Sequence, residues 1–590
     1  MQRKRPSPRP IAWWALWLLL PVAARAAGPA DPLLRLVPAD AGVTLAVENL
    51  KGHVRTLADS PTARALRDLP VVRGWRRSPT ALDLGKSVRQ VEALLETDIG
   101  TVRDALLGEA VVLSLRPAPD AAPDEARGLL LAKVSDRSLL ERFVSRLNEA
   151  QTRSGELRSV GERERGGVKY HVRTFAPGMR PDESYVLFED GVFVWSNSEE
   201  LVRGAIDRKS SDGKGGLAER PGFARVRERL PANALASLFV DPRFAERVLA
   251  ATPPPAKPQE KKVFATIVDY LGALNYAGAA LSWRNGPLLV TEEVVEPDKL
   301  HPGLTRWAAQ TEPVDPRLHR APSTALALAT VHLDFPLIVD SLSALVPETD
   351  RPALDNLMVA LRGGMLGLEP RDEVAAHLGP GVALYMERPA PRLNEGSRRP
   401  PLVMTVQVAS TPAGVRAASA VDNALRTVFA LAALDPKNGR GKVRVETRTE
   451  GGTVVTLLPG PQPLAYAVHD GRVILATAPK AVGRAIAAQA DPKGAALVER
   501  LRSLGMPATT SFACADLRTL FEFADPNRQE IASRIAARDR RSEADAARDL
   551  DQVLALVRLF EGAYLTSSID PGFTRVTRTL GLPARTSDAP

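Results

Sequence analysis

Apolar and polar positions along this chain follow two periods, and the order in which the periods succeed one another occurs twice. In the first half, β-rich runs over 185–188 and 192–195 flank Glu189-Asp190-Gly191. Asp-Gly between such runs predicts a hairpin, because glycine accepts the positive φ that a tight turn needs. A helical period follows, with Leu201, Val202, Ala205 and Ile206 on one face. Asn197 and Ser198 are its N-cap candidates, and Glu199 and Glu200 suit the positive end of the first turn. The same arrangement returns 280 residues later: runs over 464–468 and 473–476 flank Asp470-Gly471. Pro479 then opens a helix whose apolar face is Ala481, Val482, Ala485 and Ile486.

The correspondence extends in both directions. Pro38-Ala-Asp before a strand over 43–47 matches Pro322-Ser-Thr before one over 325–331, and Leu107-Gly108 matches Leu378-Gly379. A strand over 129–134 with a helix over 138–147 matches 402–408 with 415–431. Strands ending at Asp241 and Asp516, and strand pairs over 276–295 and 563–580, close the two halves. The pattern predicts two tandem homologous α+β modules, 33–297 and 321–583, each a mostly antiparallel sheet with packed helices. Its central order of strand, helix, strands, helix, strand admits a ferredoxin-like plait with additions. A proline-bearing linker over 298–320 is expected between them. The charged stretch 527–560 is expected as one long helix peculiar to the second module, where the first has Pro253-Pro-Pro-Ala-Lys-Pro258. Loops over 209–216, 252–262 and 389–401 are rich in Gly, Pro and charge, and are expected to be mobile.

The N-terminus changes the picture from a domain to a compartment. Arg3, Lys4, Arg5 and Arg9 precede an apolar run over 11–22, and Ala24-Arg25-Ala26 follows. That is the order of a signal peptide, here 1–26, for a secreted or periplasmic protein. Its apolar run is short of the roughly 20 residues a membrane span needs; the alternative is an uncleaved segment tethering the chain to the envelope. Cleavage after Ala26 removes five positive charges (Arg3, Lys4, Arg5, Arg9, Arg25) and lowers the net charge from +9 to +4. The remaining arginines are interleaved with acids, so nucleic acid is not an expected partner. The cluster Arg73-Gly-Trp-Arg-Arg77 is the exception, read as a solvated surface. The single cysteine, Cys514, excludes an intramolecular disulfide and lies in an apolar run that predicts a buried thiol.

Candidate chemistry is sparse. The chain has neither a phosphate-loop motif nor a hydrolase nucleophile elbow; Asp212-Gly213-Lys214-Gly215-Gly216 lacks the spacing of the former. The seven histidines do not fall in ligand-spaced pairs, and His469 is read as an exposed turn residue. Glu292, Glu293 and Glu296 are weak acid–base candidates, explained equally by a charged strand edge that discourages aggregation. No catalytic, cofactor or metal residues are assigned. Leu36-Val-Pro-Ala-Asp40, Leu129-Leu-Leu-Ala-Lys-Val134, Gly166-Gly-Val-Lys-Tyr170, the Asp190-Gly191 hairpin, the helix over 198–206 and Leu230-Pro-Ala-Asn233 together resemble a family of exported bacterial proteins of unknown function. The resemblance implies architecture and export and brings no activity with it. The expected function is a non-catalytic exported module that binds a protein or assembles in the envelope. The alternatives are a carrier of a lipid or other apolar ligand, and an unrecognised hydrolase.

Overall fold

The computed structural model describes residues 28–117, 127–250, 255, 258–283, 285–300, 302–309, 313–346, 348–389, 400–434, 444–450, 452–459 and 463–585. The expected signal segment and most of both the 389–401 loop and the 253–258 proline run lie outside them. The chain is mixed helix and strand, built around one large antiparallel sheet.

Ten strands come from the first half: β1 (Val43–Glu48), β2 (Ala110–Arg116), β3 (Arg127–Lys133), β4 (Leu157–Arg165), β5 (Val168–Phe175), β6 (Glu183–Leu187), β7 (Val192–Ser196), β8 (Ala236–Val240), β9 (Leu274–Trp283) and β10 (Pro287–Val295). Ten come from the second: β11 (Ala325–His332), β12 (Leu378–Glu387), β13 (Leu402–Val408), β14 (Glu446–Glu450), β15 (Thr453–Leu458), β16 (Leu464–His469), β17 (Arg472–Ala476), β18 (Ser511–Asp516), β19 (Gly562–Ile569) and β20 (Arg575–Gly581). Across the first half the spatial order is β4-β5-β6-β7-β3-β2-β1-β8-β9-β10. It continues through β20-β19-β18-β11-β12-β13-β17-β16-β15-β14. All of these pairs are antiparallel.

Helices fill the connections. After α1 (Asp31–Leu34), β1 and β2 are joined by α2 (Leu50–Asp59), α3 (Pro61–Arg67), α4 (Pro70–Arg76), α5 (Pro79–Leu95) and α6 (Ile99–Leu106). α7 (Arg137–Arg153) follows β3, α8 (Glu199–Ser210) and α9 (Pro221–Arg229) follow β7, and α10 (Pro242–Ala250) and α11 (Pro258–Ala273) follow β8. α12 (Pro302–Ala308) precedes β11; α13 (Phe335–Leu345) and α14 (Arg351–Gly364) follow it. α15 (Pro412–Leu434) follows β13, and α16 (Pro479–Ala490) and α17 (Ala496–Ser503) follow β17. α18 (Leu517–Ala524), α19 (Arg528–Asp539) and α20 (Glu543–Val557) follow β18.

The period-2 alternation of the strands puts one set of side chains into two cores on one face of the sheet. Ala46, Val112, Leu131, Val194, Phe239 and Ala280 pack with Leu201, Val202 and Ala205 of α8 and Val226 of α9. Leu328, Ala383, Val403, Ile474 and Cys514 pack with Ala481, Val482 and Ala485 of α16 and Leu501 of α17. Each fully buried Val, Leu, Ile or Phe contributes about 1.5–3 kcal/mol relative to exposure.

Several expectations are corrected. The plait places its last strand beside its first; here β2 and β1 stand between β3 and β8. The stretch 527–560 is two helices, because Arg540 turns left-handed (φ 53°) and Ser542 caps α20 by accepting from Asp545 N. The first half also has a helix pair, α10 and α11, between β8 and β9. Ser198 occupies the N-cap position without a side-chain cap bond, and Asn197 Oδ1 instead accepts from Gly128 N at 2.7 Å. The 209–216 loop is held in place: Ala39 N donates to Gly215 O and Leu217 N to Val37 O. A Cβ on Gly216 would sit 2.3 Å from Arg35 O, so this close approach requires glycine. Within the expected linker, Leu300 and Leu318 are buried and Trp307 Nε1 donates to His332 O at 2.9 Å.

Candidate binding surface

The other set of alternating side chains defines the opposite face of the sheet, and there cover is incomplete. Reading straight across the strands by register, Val47, Ala236, Leu281, Leu289, Leu580, Leu565, Ala513, Ala329, Leu384 and Met404 oppose one another in one row. At the usual spacing between strands the row is roughly 43 Å long. Its leucines stay open to solvent: Leu565, near the centre, is 46% exposed and Leu384, toward one end, 48%. Leu113, Leu115 and Leu238 lie exposed on the same face. Exposed single leucines are ordinary, but a contiguous apolar run of this length marks an interaction surface.

Helices close the row at its ends. At one end it passes through Val111, Ala132 and Phe193, which pack under α5, α6 and α7 through Leu95, Val102, Leu106 and Leu140. At the other it passes through Leu475 to Tyr466, packed under α15 against Phe429. α15 is the one helix of the described residues long and apolar enough to cross a membrane, and its Ala417, Ala420, Ala424, Phe429 and Ala433 are buried.

Each closed end leaves a cleft between helix and sheet. The one beneath α7 has a volume of about 980 Å³, with Leu140, Val144 and Asn148 on the helix and His171, Tyr185 and Phe193 on the strands. Cross-strand register stacks its aromatic rings: His171 and Tyr185 lie 4.9 Å apart, and Tyr185 and Trp195 5.4 Å. Arg173 is buried beside them, 4.8 Å from the Trp195 ring and bonded to Asn148, Gln151 and Glu183. Burial raises the Tyr185 hydroxyl above its ordinary range. The rim charges pair among themselves, Lys169 with Glu162 and Lys209 with Asp190. Beneath α15 a cleft of about 780 Å³ has Val415, Ser419 and Asp422 on the helix and Thr453, Val454 and His469 on the strands.

The residues singled out for chemistry are dispersed. Glu292, Glu293 and Glu296 do not form an exposed edge, because β10 is flanked by β9 and β20. Glu292 is fully buried in the helix-covered face, accepts from Thr577 Oγ1, and is raised by burial above the usual carboxylate range. Glu293 points to the other face, bonded to Tyr270 and Arg578. Glu296 bonds to Asn275 and Lys299. His469 ends β16 half-buried rather than in the turn, with Thr453 Oγ1 2.7 Å from its Nδ1. Burial pushes the Cys514 thiol up to about 12, which keeps it protonated at neutral pH. Among the described residues no three His, Cys, Asp or Glu side chains converge as metal ligands do. The open face escaped sequence reading because its apolar residues carry the same alternation as the core. Only the missing cover distinguishes them.

Compared with protein-family models, curated proteins and solved structures, the chain matches none.

Proposed function

We propose that this chain is an exported, non-catalytic binding protein made of two copies of one α+β module, whose open sheet face docks an apolar surface of a partner protein. The observation that carries the docking is the register-aligned apolar row without helices over its centre. An open floor of that length suits an extended partner surface better than an enclosed small molecule, which binds in a concave pocket. The two-copy reading is supported by the ladder order, which is the same from either end of the sheet: β1 pairs with β8 as β11 does with β18, and β3 with β7 as β13 does with β17. Export rests on the N-terminal charge, apolar run and small residues, and the exported-family resemblance on the motifs quoted above.

The test is capture from envelope extract with the full chain and with a Leu281→Asn/Leu565→Asn variant. We expect a partner retained by the wild type and lost by the variant; a captured set that the substitutions leave unchanged overturns the reading. A second reading, a carrier of apolar ligands, is favoured by the aromatic-floored cleft beneath α7. Native mass spectrometry then shows a co-purifying ligand that Tyr185→Ala removes, and protein that is consistently empty excludes it.

A further inference from the structure

The cluster around Trp75 is the one basic motif not absorbed by that reading, and its structural setting is unusual for this chain. Most arginines here are held by carboxylates: Arg116 by Asp40 and Glu200, Arg371 by Asp340 and Asp372, Arg500 by Asp516 and Glu561. Arg73, Arg76, Arg77 and Arg89 have no carboxylate partner among the described residues, and all four are exposed. Between Arg64 and Arg89 seven basic residues face two acids, Asp68 and Asp83, and Asp83 is taken by Lys86 at 2.8 Å.

The same helices fail to bury their apolar residues. None of the side chains in α2, α3 or α4 is buried, and in α5 only Leu95 is. Val71 and Trp75, four apart on α4, are 50% and 56% exposed; Leu82 and Leu84 of α5 are 55% and 57% exposed. Trp and Leu beside uncompensated arginine is the composition of a segment lying in a lipid headgroup region. There the apolar residues enter the acyl boundary while the guanidinium groups meet phosphate. The helices between β11 and β12 serve as an internal contrast. α14 exposes Leu357 and Val359 just as openly, but Glu348, Asp350 and Asp355 stand against Arg351 and Arg362 there, and Asp340 is paired with Arg371. That lobe lacks the basic excess that draws a surface to anionic lipid.

We infer that the α3–α5 lobe docks this protein on an anionic phospholipid bilayer, with Trp75, Val71 and Leu82 inserted, Arg76 and Arg89 beside them on the headgroup phosphates, and Arg73 and Arg77 adding to the attractive charge. This is independent of the open sheet face and of any tethering by the N-terminal segment. The test is co-sedimentation of the full chain with phosphatidylglycerol/phosphatidylcholine vesicles and with pure phosphatidylcholine vesicles. The expected result is binding to the anionic vesicles that falls with added salt, by on the order of 100-fold in Arg73→Ala/Arg76→Ala/Arg77→Ala, and measurably in Trp75→Ala. Wild type and variants carry the same N-terminal segment, so their difference reads the lobe alone. The substituted side chains are exposed, and an unchanged far-UV spectrum checks folding. Equal binding by wild type and variants overturns the inference, as does equal binding to both vesicle types or no binding at all. Arginine-dependent binding of a duplex oligonucleotide without vesicle binding also overturns it, in favour of nucleic acid.

Discussion

Gly191 and Gly471 stand at the same place in the two Asp-Gly hairpins and do different physical jobs. Asp470 and Gly471 both have positive φ, 46° and 70°, the two-residue turn that matches the twist of its strands. In the first hairpin Phe188 and Val192 pair across a three-residue loop in which only Gly191 is left-handed, φ 79°. A Cβ on Gly191 would lie 2.8 Å from Val134 O, whereas on Gly471 it would approach only Val408 O, at 3.9 Å. Gly471→Ala therefore meets the left-handed penalty alone, about 1 kcal/mol, and Gly191→Ala adds a clash, for a total of about 2–3 kcal/mol. Urea unfolding of the two variants measures the difference; equal losses would refute the argument. The sequence made both turns visible as Asp-Gly. It left their type unread, because the type depends on where the flanking strands begin to pair.

At the scale of elements, the two outermost strands are the least apolar in the sheet. β4 reads Arg163-Glu164-Arg165 at its end and is exposed along most of its length, and β14 is Glu446-Thr-Arg-Thr-Glu450. Charged edges repel a further strand, and this limits the growth of an otherwise open sheet. Arg163 and Arg165 pair with Glu199 and Asp207 of α8, but pairs this exposed add little stability. Arg163→Val/Arg165→Val is thus expected to remain folded and to gain mass by edge-to-edge association. Sedimentation velocity at increasing concentration checks this, and a mass no greater than wild type at every concentration would rule it out. Neither edge was legible as a strand from apolar alternation, because edge strands at the rim are made of charge. The central strands and the helices over 199–206 and 481–486 were legible, since their apolar faces pack into the two cores.

Across the whole molecule, one ladder, β10 with β20, joins the ten strands of each half. Glu292 sits within that seam, buried, with Oε1 lacking a hydrogen-bond partner among the described residues and Oε2 accepting from Thr577. Burial holds its folded pKa above the unfolded value, so folding takes up a proton. Its penalty is absent below the ordinary carboxylate pKa, and stability is lost as pH rises from there through the folded value. Glu292→Gln removes the titration and keeps an acceptor for Thr577. The variant is expected to exceed wild type in stability by about 1–3 kcal/mol at neutral pH, with the gain disappearing near about pH 4. Thermal unfolding across pH measures it, and a gain independent of pH would show that charge at the seam is not the cause.

By itself the sequence determined the local elements: strand and helix periods, the glycine turns, the basic Trp75 cluster and the order of charged, apolar and small residues at the N-terminus. These follow from neighbouring residues, whose φ preferences and spacing act over a few positions. Tertiary structure alone decided which strands adjoin, and so joined Glu292 to Thr577, 285 residues away, and placed both Glu292 and Leu289 inside the sheet rather than at an edge. It also decided which of two equally apolar strand faces is covered by helices and which is left partly open. That choice depends on where the connecting helices return, a long-range consequence of pairing that alternation along one strand does not encode.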